Sequence, residues 1–228
     1  MNETAGNERN MKRTLKAILL SVGLCSLPSL CFSAIVYDNS TTALGPQYSP
    51  PTPTWEFGDQ IKLDINNTTD RILSTFSFST FVNSSSASVT LRLYANTGVN
   101  NSPATTPFYS SEPNPVNNGF GSYDLNPPSG TIVTLPDEFT WTVQFSNLGA
   151  NESGGLLVYG PPTIGTSLPT FWQKDDTTGV WSPQTLNGIS SADFAARVTA
   201  VPEPGVLALG GLGALLLAWL GRFRRAPR

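Results

Sequence analysis

The stretch Thr75-Phe76-Ser77-Phe78-Ser79-Thr80-Phe81 alternates aromatic and small hydroxyl side chains with period two. Successive side chains of a strand point to opposite faces, so this run turns Phe76 and Phe78 to one side and Thr75, Ser77 and Ser79 to the other. A helix would scatter the same residues around its circumference. The pattern therefore predicts a half-buried β-strand. Ser88-Val89-Thr90-Leu91-Arg92-Leu93-Tyr94 and Phe139-Thr140-Trp141-Thr142-Val143-Gln144-Phe145 repeat it. Shorter candidate strands are 35–37, 61–65, 131–135, 156–159, 170–173 and 194–198. Turn residues punctuate them: Asn96-Thr97-Gly98, Asn117-Asn118-Gly119, Ser153-Gly154-Gly155 and Thr178-Gly179. The segments 45–55 and 102–124 are rich in proline or asparagine and read as irregular loops. No stretch of this body has a helical period, and no internal repeat is visible. Many short strands with Gly, Pro and Asn between them predict an all-β antiparallel sandwich, jelly-roll-like rather than immunoglobulin-like.

The two ends differ from this body. Met11-Lys12-Arg13 and Lys16 precede an apolar run, Ala17 to Phe32, which has the charged and apolar regions of a secretory signal peptide. Cleavage after Ser33 puts small residues, Cys31 and Ser33, at the positions a signal peptidase reads. Ala34 is the neighbouring cut, and Met11 is a second candidate start. The run is short for a membrane span of about 20 residues, and Pro28 interrupts it. Cys25 and Cys31 each follow a leucine, which does not suit a lipoprotein signal. The expected organisation is a signal peptide over 1–33, a β-domain over 34–200 and a tail over 201–228.

That tail begins Val201-Pro202-Glu203-Pro204, continues as an uncharged Gly/Leu-rich segment over 205–221, and ends with Arg222, Arg224, Arg225 and Arg228. An apolar helix stopped by arginines holds them in the cytoplasm, which leaves the body on the far side of the membrane. Pro-Glu-Pro, the apolar helix and the arginine cluster together resemble the PEP-CTERM sorting signal. The resemblance implies recognition by an exosortase, a membrane cysteine transpeptidase, with cleavage near the motif. It also implies a Gram-negative bacterium that makes exopolysaccharide, with signal peptidase and the Sec machinery as further partners.

Five basic side chains face thirteen acidic ones in 34–200, a net charge of −8 where the whole chain carries −3. This balance speaks against nucleic acid, whose phosphates require basic patches. Both cysteines lie in the expected signal peptide, so the body is expected to have neither disulfide nor cysteine nucleophile. The chain has no histidine, which removes histidine-based catalysis and most zinc sites. No Gly-rich phosphate loop stands between a strand and a helix.

Carboxylates are what remains for chemistry. A glycosidase needs two of them flanking the scissile bond, and Glu56, Asp59, Asp137 and Glu138 are candidates. A sugar-binding site is a different reading: Trp172, Gln173-Lys174-Asp175-Asp176 and Trp181 form a candidate hairpin. Its indoles could stack on a sugar face, while Asp175 and Asp176 could bond hydroxyls or a calcium ion. Tryptophan in an alternating strand is more often core, and Trp55 and Trp141 read that way too. Beyond calcium no cofactor is expected. Val36-Tyr37-Asp38-Asn39, Phe57-Gly58-Asp59-Gln60-Ile61 and Arg71 to Phe78, with looser agreement at Phe171-Trp172 and Gly179-Val180-Trp181, resemble the bacterial choice-of-anchor surface domains, variant R in particular. That resemblance implies an all-β surface module and no established activity. The leading expectation is a non-enzymatic envelope or matrix protein associated with exopolysaccharide. A carbohydrate-binding module and a carboxylate-based glycosidase are the alternatives.

Overall fold

The computed structural model describes residues 33–185 and 193–203. The expected signal segment 1–32, Pro204, the apolar segment 205–221 and the arginines Arg222, Arg224, Arg225 and Arg228 lie outside the described residues. Among the described residues no helix is long and apolar enough to cross a membrane. These residues form strands, loops and one 3-10 turn, Val99–Asn101. In chain order the strands are β1 (Ala34–Asp38), β2 (Ala43–Tyr48), β3 (Glu56–Lys62), β4 (Asp70–Asn83), β5 (Ser88–Ala95), β6 (Tyr109–Ser110) and β7 (Asn114–Pro115). Then come β8 (Gly119–Leu125), β9 (Glu138–Ser146), β10 (Ser153–Tyr159), β11 (Thr166–Lys174), β12 (Trp181–Gln184), β13 (Asp193–Phe194) and β14 (Ala196–Pro202).

Two antiparallel sheets result. The first has the order β1-β14-β4-β10-β13, with β8 on the other edge of β4 and β2 against β10. The second runs β12-β11-β3-β9-β5-β6, with β7 also on β5. The chain changes sheet at most connections: β3, β4 and β5 alternate between the two, as do β8, β9, β10, β11 and β13. Each crossing brings the inward residues of one sheet over those of the other. Phe76 and Phe78 of β4 meet Trp141 of β9, with ring centroids 5.2 and 6.2 Å apart. Phe194 of β13 sits among Phe57, Phe171 and Trp141 of the opposite sheet. These rings belong to one core, and Trp141 is fully buried in it. The alternation seen in the sequence thus sets which side chains enter the core, each large one stabilising the fold by about 1.5–3 kcal/mol.

Several sequence expectations need correction. The strand expected over 61–65 lies earlier, at Glu56–Lys62, where the polar Glu56, Asp59 and Gln60 are buried strand residues. Segment 131–135 contributes one isolated bridge, Ile72 to Thr134, although Val133 and Leu135 are buried. The segments expected to be irregular contain β2 and β8. β2 runs through Gly45-Pro46 at a sheet edge, where a proline without an amide donor is tolerated. Ser153-Gly154-Gly155 opens β10 rather than forming a turn; a Cβ on Gly154 would meet the Phe145 ring at 2.5 Å. Val201 and Pro202, at the head of the expected tail, continue β14 against Ile72 and Asp70.

Candidate functional site

The second sheet departs from the simple half-buried pattern, because its outward face is covered as well. Outward-pointing Thr140 and Thr142 of β9 are fully buried, and Glu56 and Gln60 of β3 are nearly so. Part of the cover is the loop between β5 and β6. Asn96 accepts a hydrogen bond from Thr140 (2.7 Å), Asn101 donates to Glu138 (3.2 Å), and the Ala104 carbonyl accepts the indole N–H of Trp181 (3.3 Å). Tyr94 of β5 and Trp181 of β12 are separated by three strands in the sheet order, yet their rings meet edge to face at 5.2 Å. The outward face is therefore concave.

A cleft of about 310 Å³ opens in this concavity. Glu56 is its hub. The carboxylate accepts a hydrogen bond from the Thr142 hydroxyl and faces Arg92 Nη1 at 3.2 Å and Lys174 Nζ at 4.0 Å. Arg92 also donates to Gln144 Oε1 (2.9 Å), and Gln144 donates to the Thr54 carbonyl (2.7 Å). The Lys174 ammonium stands over the rings of Tyr94 (5.7 Å) and Trp181 (5.3 Å). Burial, and then the charge of Glu56, push the Tyr94 phenol well above its ordinary value, so its O–H stays a donor at neutral pH. Two cations, three carboxylates, an amide and the nearly buried Tyr94 thus line one cavity of small-ligand size, with Trp181 packed against Lys174 and Tyr94.

The expected hairpin exists, and its four candidate residues separate. Asp175 and Asp176 line the cleft. Asp175 Oδ1 accepts the backbone N–H groups of Thr177 (2.8 Å) and Thr178 (3.0 Å), which hold the carboxyl below its ordinary value. Asp176 accepts the Thr54 and Thr177 hydroxyls. Gly179, with φ +69°, closes the turn. Trp181 is half-buried beside Tyr94 and Lys174. Trp172 is 7% exposed and donates its indole N–H to Gln60 Oε1 at 3.0 Å, so it offers no free ring face. Trp55 is half-buried and outside the core cluster.

The four carboxylates named for glycoside hydrolysis do not converge. Glu56 points outward, while Asp59 points inward and is fully buried. Glu138 pairs with Lys62, six residues along β3 from Glu56; at 3.2–3.4 Å per residue the two are roughly 20 Å apart. Inverting and retaining enzymes use separations of about 6.5–9.5 and 5–5.5 Å. Asp137 is held by Arg71 (2.6 Å). Of the residues expected to form a sorting motif, Val201 and Pro202 are the last rungs of β14, and the Glu203 N–H bonds the Thr69 carbonyl (3.2 Å).

Sequence reading missed Tyr94 and Arg92, and named Lys174 only as part of the hairpin. The available signal was parity: in β5, Arg92 and Tyr94 share the face opposite Leu91 and Leu93, where a basic and an aromatic residue have no core to serve. The chain matches no family model, no curated protein and no solved structure.

Proposed function

We propose that this chain is an exported, non-enzymatic envelope or matrix protein of a Gram-negative bacterium whose β-domain associates with exopolysaccharide. In this reading a signal peptide directs export through the Sec machinery, the 205–221 segment holds the precursor in the inner membrane, and an exosortase processes it near Pro202-Glu203-Pro204. The sandwich is read as a jelly-roll variant. The order β1-β14-β4-β10 matches one sheet of such a fold, while β11-β3-β9-β5 exchanges positions in the other.

The observation that carries the glycan reading is the concave cleft lined by Glu56, Arg92, Gln144, Lys174 and Asp176, with the half-buried Trp181 packed against Lys174. Sugars offer hydroxyls to fixed polar groups and apolar C–H faces to a partly exposed ring, which here is Trp181. The scattered positions of Glu56, Asp59, Asp137 and Glu138 favour binding over hydrolysis by those residues.

Two measurements test the two halves. Intact mass of the protein from its native host, in membrane and medium, is expected to begin near Ala34 and end near Pro204; a species retaining Arg222 to Arg228 refutes the sorting half. Retention on the host's exopolysaccharide is expected to fall on Lys174→Ala and Trp181→Ala, and unchanged retention in both refutes the glycan half.

A further inference from the structure

A second polar cluster lies on the inward side, between the sheets, where β1, β3, β11 and β13 meet. Asp59 occupies an inward position of β3 between the core residues Phe57 and Ile61 and is 0% exposed. Its Oδ2 accepts the Phe194 backbone N–H, and its Oδ1 has no hydrogen bond among the described residues. Asp193 of β13 is 2% exposed and accepts the Ser167 hydroxyl of β11. Asn39 is 1% exposed and donates through Nδ2 to the Phe194 carbonyl (3.0 Å), which leaves Oδ1 as the free atom. Tyr37 is fully buried against both carboxylates, beside Ser167 and Asn39, and among the described residues its hydroxyl also has no hydrogen bond. Among the described residues neither carboxylate has a lysine or arginine within 4.0 Å.

We infer that Asp59 and Asp193, completed by Asn39 Oδ1 and the Tyr37 hydroxyl, form a buried divalent-cation site of the calcium type that ties the two sheets together. Each buried, unpaired carboxylate costs several kcal/mol, and losing both charges to a protein cation is not available here. Two relief routes exist. A shared proton bridges two of the oxygens and leaves one negative charge in the core. A divalent ion balances both carboxylates and draws on the remaining oxygens too. The donor atoms are all oxygen, with no thiol or imidazole, which selects a hard cation. Calcium accepts 6–8 oxygens at about 2.3–2.6 Å in flexible geometry, so backbone carbonyls or water can complete the shell, whereas magnesium demands near-ideal octahedral order. No three acidic side chains converge among the described residues, so two carboxylates and neutral oxygens make up the site. β1 and β13 belong to one sheet and β3 and β11 to the other, so the ion cross-links the sandwich. The site is separate from the outward cleft and does not depend on the glycan reading.

The test uses the full-length chain, stripped with chelator and titrated with calcium chloride alone, followed by calorimetry and thermal unfolding at pH 7.5. One calcium per chain and a raised Tm are expected, with affinity at least tenfold lower in Asp59→Asn and Asp193→Asn and unchanged in Asp124→Asn on the exposed face of β8. Asn39→Asp adds a carboxylate without removing a ligand oxygen and is expected to bind calcium several-fold more tightly. This variant keeps the test decisive if the other two fail to fold. Absence of any bound calcium in the parent chain, with stability falling steadily as pH rises, overturns the inference in favour of a shared proton. Calcium bound equally well by Asp59→Asn and Asp193→Asn overturns it by placing the ion elsewhere.

Discussion

The two tryptophans of the β11–β12 hairpin are expected to behave oppositely when truncated. Trp172 is 93% buried between Gly58 and Pro183 in the register of the sheet, with its N–H on Gln60. Replacing it with alanine empties a packed site, a change that costs about 3–5 kcal/mol. For a domain of this length each kcal/mol moves Tm by roughly 2–4 °C, so Trp172→Ala is expected to lower Tm by about 6–20 °C. Trp181 loses less. Its edge-to-face contact with Tyr94 and its contact with Lys174 are each worth about 0.5–1 kcal/mol, giving a drop of about 2–8 °C. Binding reverses the ranking. Trp181→Ala is expected to abolish retention on the host exopolysaccharide, while Trp172→Phe, which refills most of the buried volume, keeps it. Thermal unfolding followed by near-ultraviolet circular dichroism and affinity electrophoresis read the two effects separately. A Trp172→Ala protein whose Tm stays within about 2 °C of the parent while retention is lost would refute the assignment of Trp172 to packing.

Gly58→Ala places a Cβ 2.0 Å from the Trp141 carbonyl oxygen, a backbone atom that cannot move without the strand. Overpacking of this kind costs at least about 1–3 kcal/mol, and an unchanged urea midpoint would contradict the close approach of β3 and β9. The buried acid pair makes stability pH-dependent when calcium is removed. Burial, and for Asp59 the neighbouring Asp193, hold both carboxyls above their ordinary value. The folded state then binds more protons than the unfolded chain above about pH 4, so stability is complete below that value and declines as pH rises. The Tm of the chelated chain is expected to fall between pH 5 and pH 8 and to flatten in Asp59→Asn; a rising Tm contradicts the burial. Alanine at Pro202, Glu203 and Pro204 is expected to leave a larger, membrane-held species while export continues, and processing identical to the parent would remove the sorting proposal.

The period-two runs at Phe76–Phe78, Leu91–Leu93 and Trp141–Val143 were legible because alternation is a local property: a strand exposes one face and buries the other wherever it lies. Those runs determined the all-β class, the antiparallel sheets and the central place of Trp141. The composition of the tail, with its motif, apolar segment and arginines, likewise carries the sorting proposal without help from the fold. What stayed hidden was non-local. β2 and β8 carry Gly and Pro residues that read as loop, and they become strands only because β10 and β4 supply their hydrogen bonds. Glu56, Asp59 and Gln60 carry no apolar alternation of their own; β9 and β11 flank them, and the parity of β3 sends Asp59 into the core and Glu56 to the outer face. The cleft needs Arg92, Glu56 and Lys174, drawn from three strands distant in sequence, and only the pairing of the sheet brings them together. Sequence alone determined which residues want burial; the tertiary structure decided which polar residues share it, because the cost of burying a charge depends on neighbours that no local pattern names.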